Sequence, residues 1–379
     1  MRVGIASAGV VSPAGTGLAA LREALANPDF APKLELPRPD APPLPVVACH
    51  SFDTKGLLPP LVARRLDRAS RLLAVAVREA LTAFGEPLPW PREEVGVAMG
   101  TWTAGTSPLL EILQAVFQLG PDQAPPMHFP NSVANAPASQ VGILEKLGGA
   151  NVTFFEKQAG GLRAVAEAFR FVRSKRLKAC VAGGVDEAEW LNAECFDRLR
   201  ALRTATRPGF TVGEGAAALV LAPEAPVLVL GAGAAGSPCP PYLYPSTPKG
   251  LVAACHRALG DASLAPQDVD LVVSLANGSP QLAALERQAL VEVFGTHRPA
   301  VLGGPSERLG EGAYSSALRL IVAFLVFAEA CPVAWPAPPH LANLGFPALG
   351  ELAFPPRTAL VTALAGGGSA VAVLLGLQR

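Results

Sequence analysis

An α/β fold assembled from two similar halves is the architecture that this 379-residue sequence predicts. Three observations predict it. Short apolar runs recur along the whole chain, stretches of helical period lie between them, and the pattern that closes the first half returns at the end of the second.

The apolar runs Val3–Ala6, Val95–Met99, Ala179–Ala182, Ala216–Leu221, Val227–Leu230, Leu271–Leu275, Ala359–Ala363 and Ala370–Leu375 read as buried strands. Asn151–Phe155 reads as a further short strand. Between them, Arg64–Phe84 interleaves Leu66, Leu72, Leu73, Val75, Ala76 and Leu81 with Arg and Glu, the period of an amphipathic helix. Gly161–Leu177 and Gly250–Leu259 carry the same period. Strands alternating with helices imply a largely parallel sheet. The echo is carried by Ala179-Cys-Val-Ala-Gly-Gly184 with Gly213-Glu-Gly-Ala216, and again by Thr358-Ala-Leu-Val-Thr-Ala363 with Gly366-Gly-Gly-Ser-Ala370. We therefore divide the chain into an N-terminal half, 1–225, and a C-terminal half, 226–379, packed as one compact unit.

The proline-rich joint between the halves contains Gly231-Ala-Gly233-Ala-Ala-Gly236, which matches a dinucleotide-binding fingerprint. That chemistry needs a helix N-terminus directly afterwards, and Pro238, Pro240 and Pro241 prevent one. The segment is expected to be a flexible turn without a nucleotide.

Composition narrows the function classes. The 31 basic and 31 acidic residues cancel, so no global field draws in nucleic acid or an anionic membrane. Half the residues are hydrophobic and only 16% are charged, which predicts apolar surface that meets another chain. Six cysteines without a CxxC pair and five scattered histidines argue against a metal site and a disulfide scaffold, and no cofactor is expected. The opening MRVGIASAGVVSPAG reads as strand and turn rather than signal peptide, and the apolar helical run Leu320–Ala328 is too short to span a bilayer. A soluble cytoplasmic protein with reduced thiols is the expectation.

Several segments together resemble one family. Val10-Val-Ser-Pro-Ala-Gly15 is similar to the opening turn of β-ketoacyl synthases, and Val95–Thr101 to their early strand. Phe129-Pro-Asn-Ser-Val-Ala-Asn-Ala-Pro137 resembles the segment before their nucleophile, and Arg207–Ala216 their glycine-rich loop. The resemblance covers nearly the whole chain in order. It implies the thiolase fold, five αβαβα layers built from two βαβαβαββ halves. Active members carry a Cys at a helix N-terminus, where the dipole favours the thiolate, and two His that stabilise the enolate oxygen of the decarboxylating malonyl unit.

Aligned by that resemblance, all three positions depart from the pattern. Gln158 in Glu156-Lys-Gln-Ala-Gly-Gly-Leu162 stands at the Cys, Asn277 in Ala276-Asn-Gly-Ser279 at the first His, and Gly310 in Pro305-Ser-Glu-Arg-Leu-Gly310 at the second. His297 is the nearest histidine to the last two segments. An amide is no nucleophile, so no catalytic residue is expected. The Gln-Ala-Gly-Gly-Leu run resembles chain length factors, the ketosynthase-like subunits of type II polyketide synthases, as do Val181–Asp186 and Pro356–Val361. The short joint and the FPNSVANAP segment look more like the polyene branch. The resemblance implies a heterodimer with an active ketosynthase, an acyl carrier protein served through the complex, and a tunnel that sets chain length.

Phe129, Val133, Phe154, Phe155, Trp190 and Phe196 fall in or near segments that build the family's interface and tunnel, with Trp190 and Phe129 the stronger candidates for tunnel lining; as isolated apolar residues they would read as plain core. Trp190→Ala should lengthen products if that ring ends the tunnel. Arg170, Arg173, Lys175, Arg176 and Lys178 follow a helix and complement its C-terminus, with carrier docking as the sharper alternative. Two enzyme readings compete. A malonyl-carrier-protein decarboxylase of the Gln-for-Cys type still needs the two imidazoles. A condensing enzyme using Cys180 or Cys195 needs a depressed thiol pKa, which an apolar strand around Cys180 opposes.

Overall fold

A computed structural model describes residues 1–38, 41–85 and 87–377. The first half runs β1 (Val3–Ser12), α1 (Arg68–Phe84), β2 (Val95–Gly100), α2 (Thr106–Leu119), α3 (Ala136–Leu144), β3 (Asn151–Phe154), α4 (Gly160–Arg173), β4 (Ala179–Asp186), α5 (Trp190–Arg198) and β5 (Gly215–Pro223). The second runs β6 (Val227–Gly236), α6 (Lys249–Ala262), β7 (Leu271–Val273), α7 (Pro280–Phe294), β8 (Ala300–Leu302), α8 (Ala313–Glu329), β9 (Thr358–Leu364) and β10 (Ser369–Leu377). Leaving aside α2, α5, the helix Leu18–Ala26, the strands Gly15–Thr16, Leu34–Arg38 and Ala41–Val47, and helices of five residues or fewer, each half is βαβαβαββ.

Strand order confirms the repeat. The first half is hydrogen-bonded as β1-β5-β4-β2-β3 and the second as β6-β10-β9-β7-β8, the same order in its own numbering. The two sheets touch where β1 pairs with β6 through Gly4–Leu228 and Ile5–Val227. Three separate apolar clusters fill the spaces between layers. Helices α4 and α8 pack on each other between the sheets, α1 and α3 cover the outer face of one half, and α6 and α7 that of the other. These are the five layers of the thiolase fold. Because α8 is central, it is buried nearly all round, including Arg319, whereas α1 keeps a polar outer face.

Local expectations hold with three corrections. The sheet is mixed rather than largely parallel: β2, β3 and β4 run parallel, as do β7, β8 and β9, but β1, β5, β6 and β10 pair antiparallel. The two strands that close each half are antiparallel neighbours, joined by a tight hairpin in the second half and through α5 and a long loop in the first, so neither pair is linked as a parallel crossover unit. The first long helix starts at Arg68, not Arg64, because Asp67 is extended at the cap. The Gly231–Gly236 segment is no flexible turn: it is the second part of strand β6. Its glycines serve close packing, since a Cβ at Gly231 or Gly233 would lie 2.4 or 2.2 Å from the carbonyl oxygens of Ala258 or Ala254 on α6. Among the described residues no helix is long and apolar enough to cross a membrane.

Candidate functional site

The parallel strands point their carboxyl ends toward one region, where open α/β sheets form crevices. Gln158 lies in a single 3-10 turn, Lys157–Ala159, that leads into α4. Asn277 lies just beyond β7, and Gly366 lies in the turn between β9 and β10. The N-terminus of α4 is capped from the neighbouring central helix, the Leu162 N–H donating to Ser316 Oγ at 3.0 Å.

One side chain ties these segments together, and it comes from the proline-rich joint. The Tyr244 hydroxyl accepts from Gln158 Nε2 at 3.3 Å and from Asn277 Nδ2 at 3.2 Å. Asn277 Nδ2 also donates to Glu311 Oε2 at 2.8 Å, and its Oδ1 accepts the Ser279 N–H at 3.0 Å. Gln158 Oε1 accepts the Gly366 N–H at 3.2 Å. Ser315 Oγ and the Gly312 N–H hold the other oxygen of Glu311. The result is a continuous hydrogen-bonded chain, Gln158–Tyr244–Asn277–Glu311, in which both amides are used at each end.

Burial dominates the electrostatics. It pushes the Tyr244 phenol well above its ordinary pKa, with Glu311 adding to the shift, so Tyr244 stays neutral. Burial also raises Glu311, against the pull of Arg319 and the donors Ser315, Asn277 and Gly312. Arg319 is lowered by burial, and donates to Ser306 Oγ at 2.5 Å and the Thr362 carbonyl at 3.1 Å. Among the described residues no histidine bonds to Gln158, Asn277, Tyr244 or Glu311; His297 faces the Val269 carbonyl and His340 pairs with Glu286. Cys180 is buried in β4 and pushed up to about 12 by burial, as its apolar strand implies, and Cys195 lies exposed on α5.

Gln158 and Asn277 are thus brought together, but Gly310 is not the third member. It has no side chain, and its φ of 86° ends the short helix Pro305–Leu309 in a conformation suited to glycine. The next residue, Glu311, is the one that reaches the site from this segment. Tyr244 also escaped sequence analysis; its only signal was an aromatic residue between prolines in Pro241-Tyr-Leu-Tyr-Pro245.

Outside this chain of bonds opens a cavity of about 440 Å³. Trp102, Phe196 and Phe210 form one wall, with ring centroids 4.7 to 6.0 Å apart. The Trp102 N–H donates to the buried Asp186 carboxylate at 2.6 Å, and the Ala313 N–H donates to the same carboxylate, so the wall is anchored to the start of α8. Lys157 sits at the rim with φ 48°, its ammonium donating to the Pro241 and Gly366 carbonyls.

Phe129, Val133, Phe154, Phe155 and Trp190 do not line this cavity. Phe129, Val133 and Phe155 are exposed, Phe154 packs on the middle core under Arg163, and Trp190 is half-buried at the start of α5. The basic run lies at the far end of α4, about 20 Å from Gln158 along the helix axis. There Arg170 pairs with Glu167 and Arg173 with Asp261, which fits helix-end complementation better than delivery to the pocket.

Two halves of one topology, with a pocket where their parallel strands end, define an α/β protein of the thiolase type. Residues 50–226 match the β-ketoacyl synthase N-terminal domain and residues 229–329 the β-ketoacyl synthase C-terminal domain. The chain belongs to the β-ketoacyl synthase family. It is 27% identical over 323 residues to a 3-oxoacyl-[acyl-carrier-protein] synthase 2 of Coxiella burnetii, covering 78% of each chain. It is 30% identical over 268 residues to the tetracenomycin polyketide synthase ketoacyl synthase beta subunit of Streptomyces glaucescens, covering 65% of each. Among solved structures, the ishigamide ketosynthase/chain length factor superposes with a TM-score of 0.84 at 19% identity, over 100% of this chain and 99% of that one.

Proposed function

We propose that this chain is a chain length factor: a subunit without catalysis of its own that pairs with an active β-ketoacyl synthase and shapes the tunnel in which the chain grows. The observation that carries the reading is the Gln158–Tyr244–Asn277–Glu311 hydrogen-bonded chain. A condensing site needs a thiolate and uncommitted oxyanion donors. Here an amide takes the helix-start position, and the hydrogens of Asn277 are committed to Tyr244 and Glu311. The same commitment weighs against a malonyl decarboxylase, which depends on free donors for the enolate.

Pairing is supported by where apolar surface is left open. Strand β3 is the end strand of the sheet; α3 packs beside it, the turn Phe129–Asn131 on α3, and α2 on that turn. Of the nineteen large apolar side chains exposed among the described residues, nine lie between Leu109 and Phe155, with Phe117 82% and Phe129 70% exposed. A contiguous apolar face beside an open strand edge favours association. Phe129, Val133 and Phe155 belong to that contact in this reading, and Phe154 and Trp190 to the tunnel beneath it. A polyene product and an acyl carrier protein acting through the complex extend the same proposal.

Co-expression with an active ketosynthase tests it. A stable one-to-one complex, whose condensation is abolished by removing the partner's cysteine alone, is expected. Carbon–carbon bond formation or malonyl decarboxylation by the isolated chain would overturn the reading.

A further inference from the structure

The cavity outside Tyr244 has the shape and charge of a ligand site. Its volume of about 440 Å³ falls within the range of small-molecule pockets. Its wall is a three-ring aromatic cluster, and of the described residues that line it none is acidic, whereas Lys157 and Arg200 are cationic. Lys157 has three ammonium hydrogens and gives two contacts to protein carbonyls. Arg200 is exposed in the turn after α5 and makes no side-chain hydrogen bond among the described residues. Two cations without an opposing carboxylate at an apolar mouth favour an anion with an apolar body. The floor decides the shape of that body. Tyr244 is pinned by Gln158 and Asn277, so a fixed aromatic ring lines the cavity on this side, while Asn277 and Glu311 beyond it do not line it. A compact ring fits better than a long flexible chain, because it gains offset or edge-on contacts with Trp102, Phe196 and Phe210.

We propose that this cavity binds a small aromatic carboxylate, its ring against the Trp102 wall and its carboxylate between Lys157 and Arg200. The inference rests on the pocket's being catalytically silent, since a nucleophile at its floor would make it a reaction site rather than a receptor. An effector bound here would sit against the loop that supplies Tyr244 and, through Asp186, against the start of α8.

Titration calorimetry on the full chain in its partner complex, with 2-naphthoate as probe, is the test. Saturable one-to-one binding is expected, with Trp102 fluorescence quenched and the quench missing in Trp102→Phe. Arg200→Glu should weaken binding about tenfold, as should replacing the carboxylate by the amide in 2-naphthamide. Arg200→Gln, with a smaller loss, serves if the charge reversal misfolds. Absence of a saturable heat, an unchanged Kd in the Arg200 variants, or octanoate binding as tightly as 2-naphthoate would overturn the proposal. Turnover of an acyl thioester by the isolated chain would instead overturn the functional reading, so the two failures are separable.

Discussion

Glu187 offers the sharpest physical test of the structure, because its burial has a measurable pH signature. It follows β4 and is fully buried, with Oε1 accepting the Ser107 N–H at 3.0 Å and Oε2 accepting Ser107 Oγ at 2.8 Å. Burial pushes its pKa up to about 8; the Ser107 bonds oppose the shift, while the charges of Asp67 and Glu189 add to it. The folded protein therefore keeps a proton that the unfolded chain releases near its ordinary carboxyl pKa, about 4.3. Stability is fully present below that value and falls as pH rises toward 8, by about 1.4 kcal/mol per pH unit for one proton. Glu187→Gln preserves the shape and both Ser107 contacts but cannot ionise. Urea unfolding at pH 6 and pH 7.5 should show the native protein losing about 2 kcal/mol more than the variant across that interval. Glu187 also holds the first turn of α2, the helix that carries Leu109, Leu113 and Phe117, so partner affinity should weaken over the same range in the native protein and stay level in the variant. Parallel pH profiles for the two proteins would refute the assignment of a buried, protonated Glu187.

Further outcomes follow from the same contacts. Tyr244→Phe leaves the Gln158 and Asn277 amides without their shared acceptor and should lower stability by about 1–2 kcal/mol in urea titration, with no gain of condensing activity. Gln158→Cys should remain inactive in acyl transfer, because among the described residues no imidazole bonds to this position; acylation by an acyl thioester seen in mass spectrometry would contradict this. Phe155→Asp places a charge on the apolar face beside β3 and should abolish co-purification with a ketosynthase while leaving the far-ultraviolet circular dichroism unchanged. Arg319→Met should be tolerated better than Glu311→Gln if the charge of Arg319 mainly balances Glu311, and comparing their thermal midpoints decides it.

Most of the fold was legible before any coordinates. Buried strands and amphipathic helices leave local signatures of period two or 3.6, and each sequence run predicted as a strand lies on or overlaps one. The repeat was visible for the same reason, as two stretches of local pattern. The orientation of the strands was not, because a hairpin and a crossover can follow equally apolar runs. The glycines of Gly231–Gly236 were misread because a fingerprint records spacing, while their purpose depends on the helix that comes to lie across them.

The site divides along the same line. The amide at Gln158 and the absence of histidine around Asn277 are facts of residue identity, and the sequence alone determined that no cysteine and no histidine pair stand in those segments. Which side chains meet there was decided only by tertiary structure. Gln158 reaches Tyr244 across 86 residues, and Asn277 reaches Glu311 across 34. Selection of Glu311 over its neighbour Gly310, and of Trp102 for the cavity wall, depends on a helix end and a loop held by Asp186. Contacts of this kind arise from packing two sheets around α4 and α8, and a hydrogen bond closing so long a loop leaves no periodic trace in the chain that makes it.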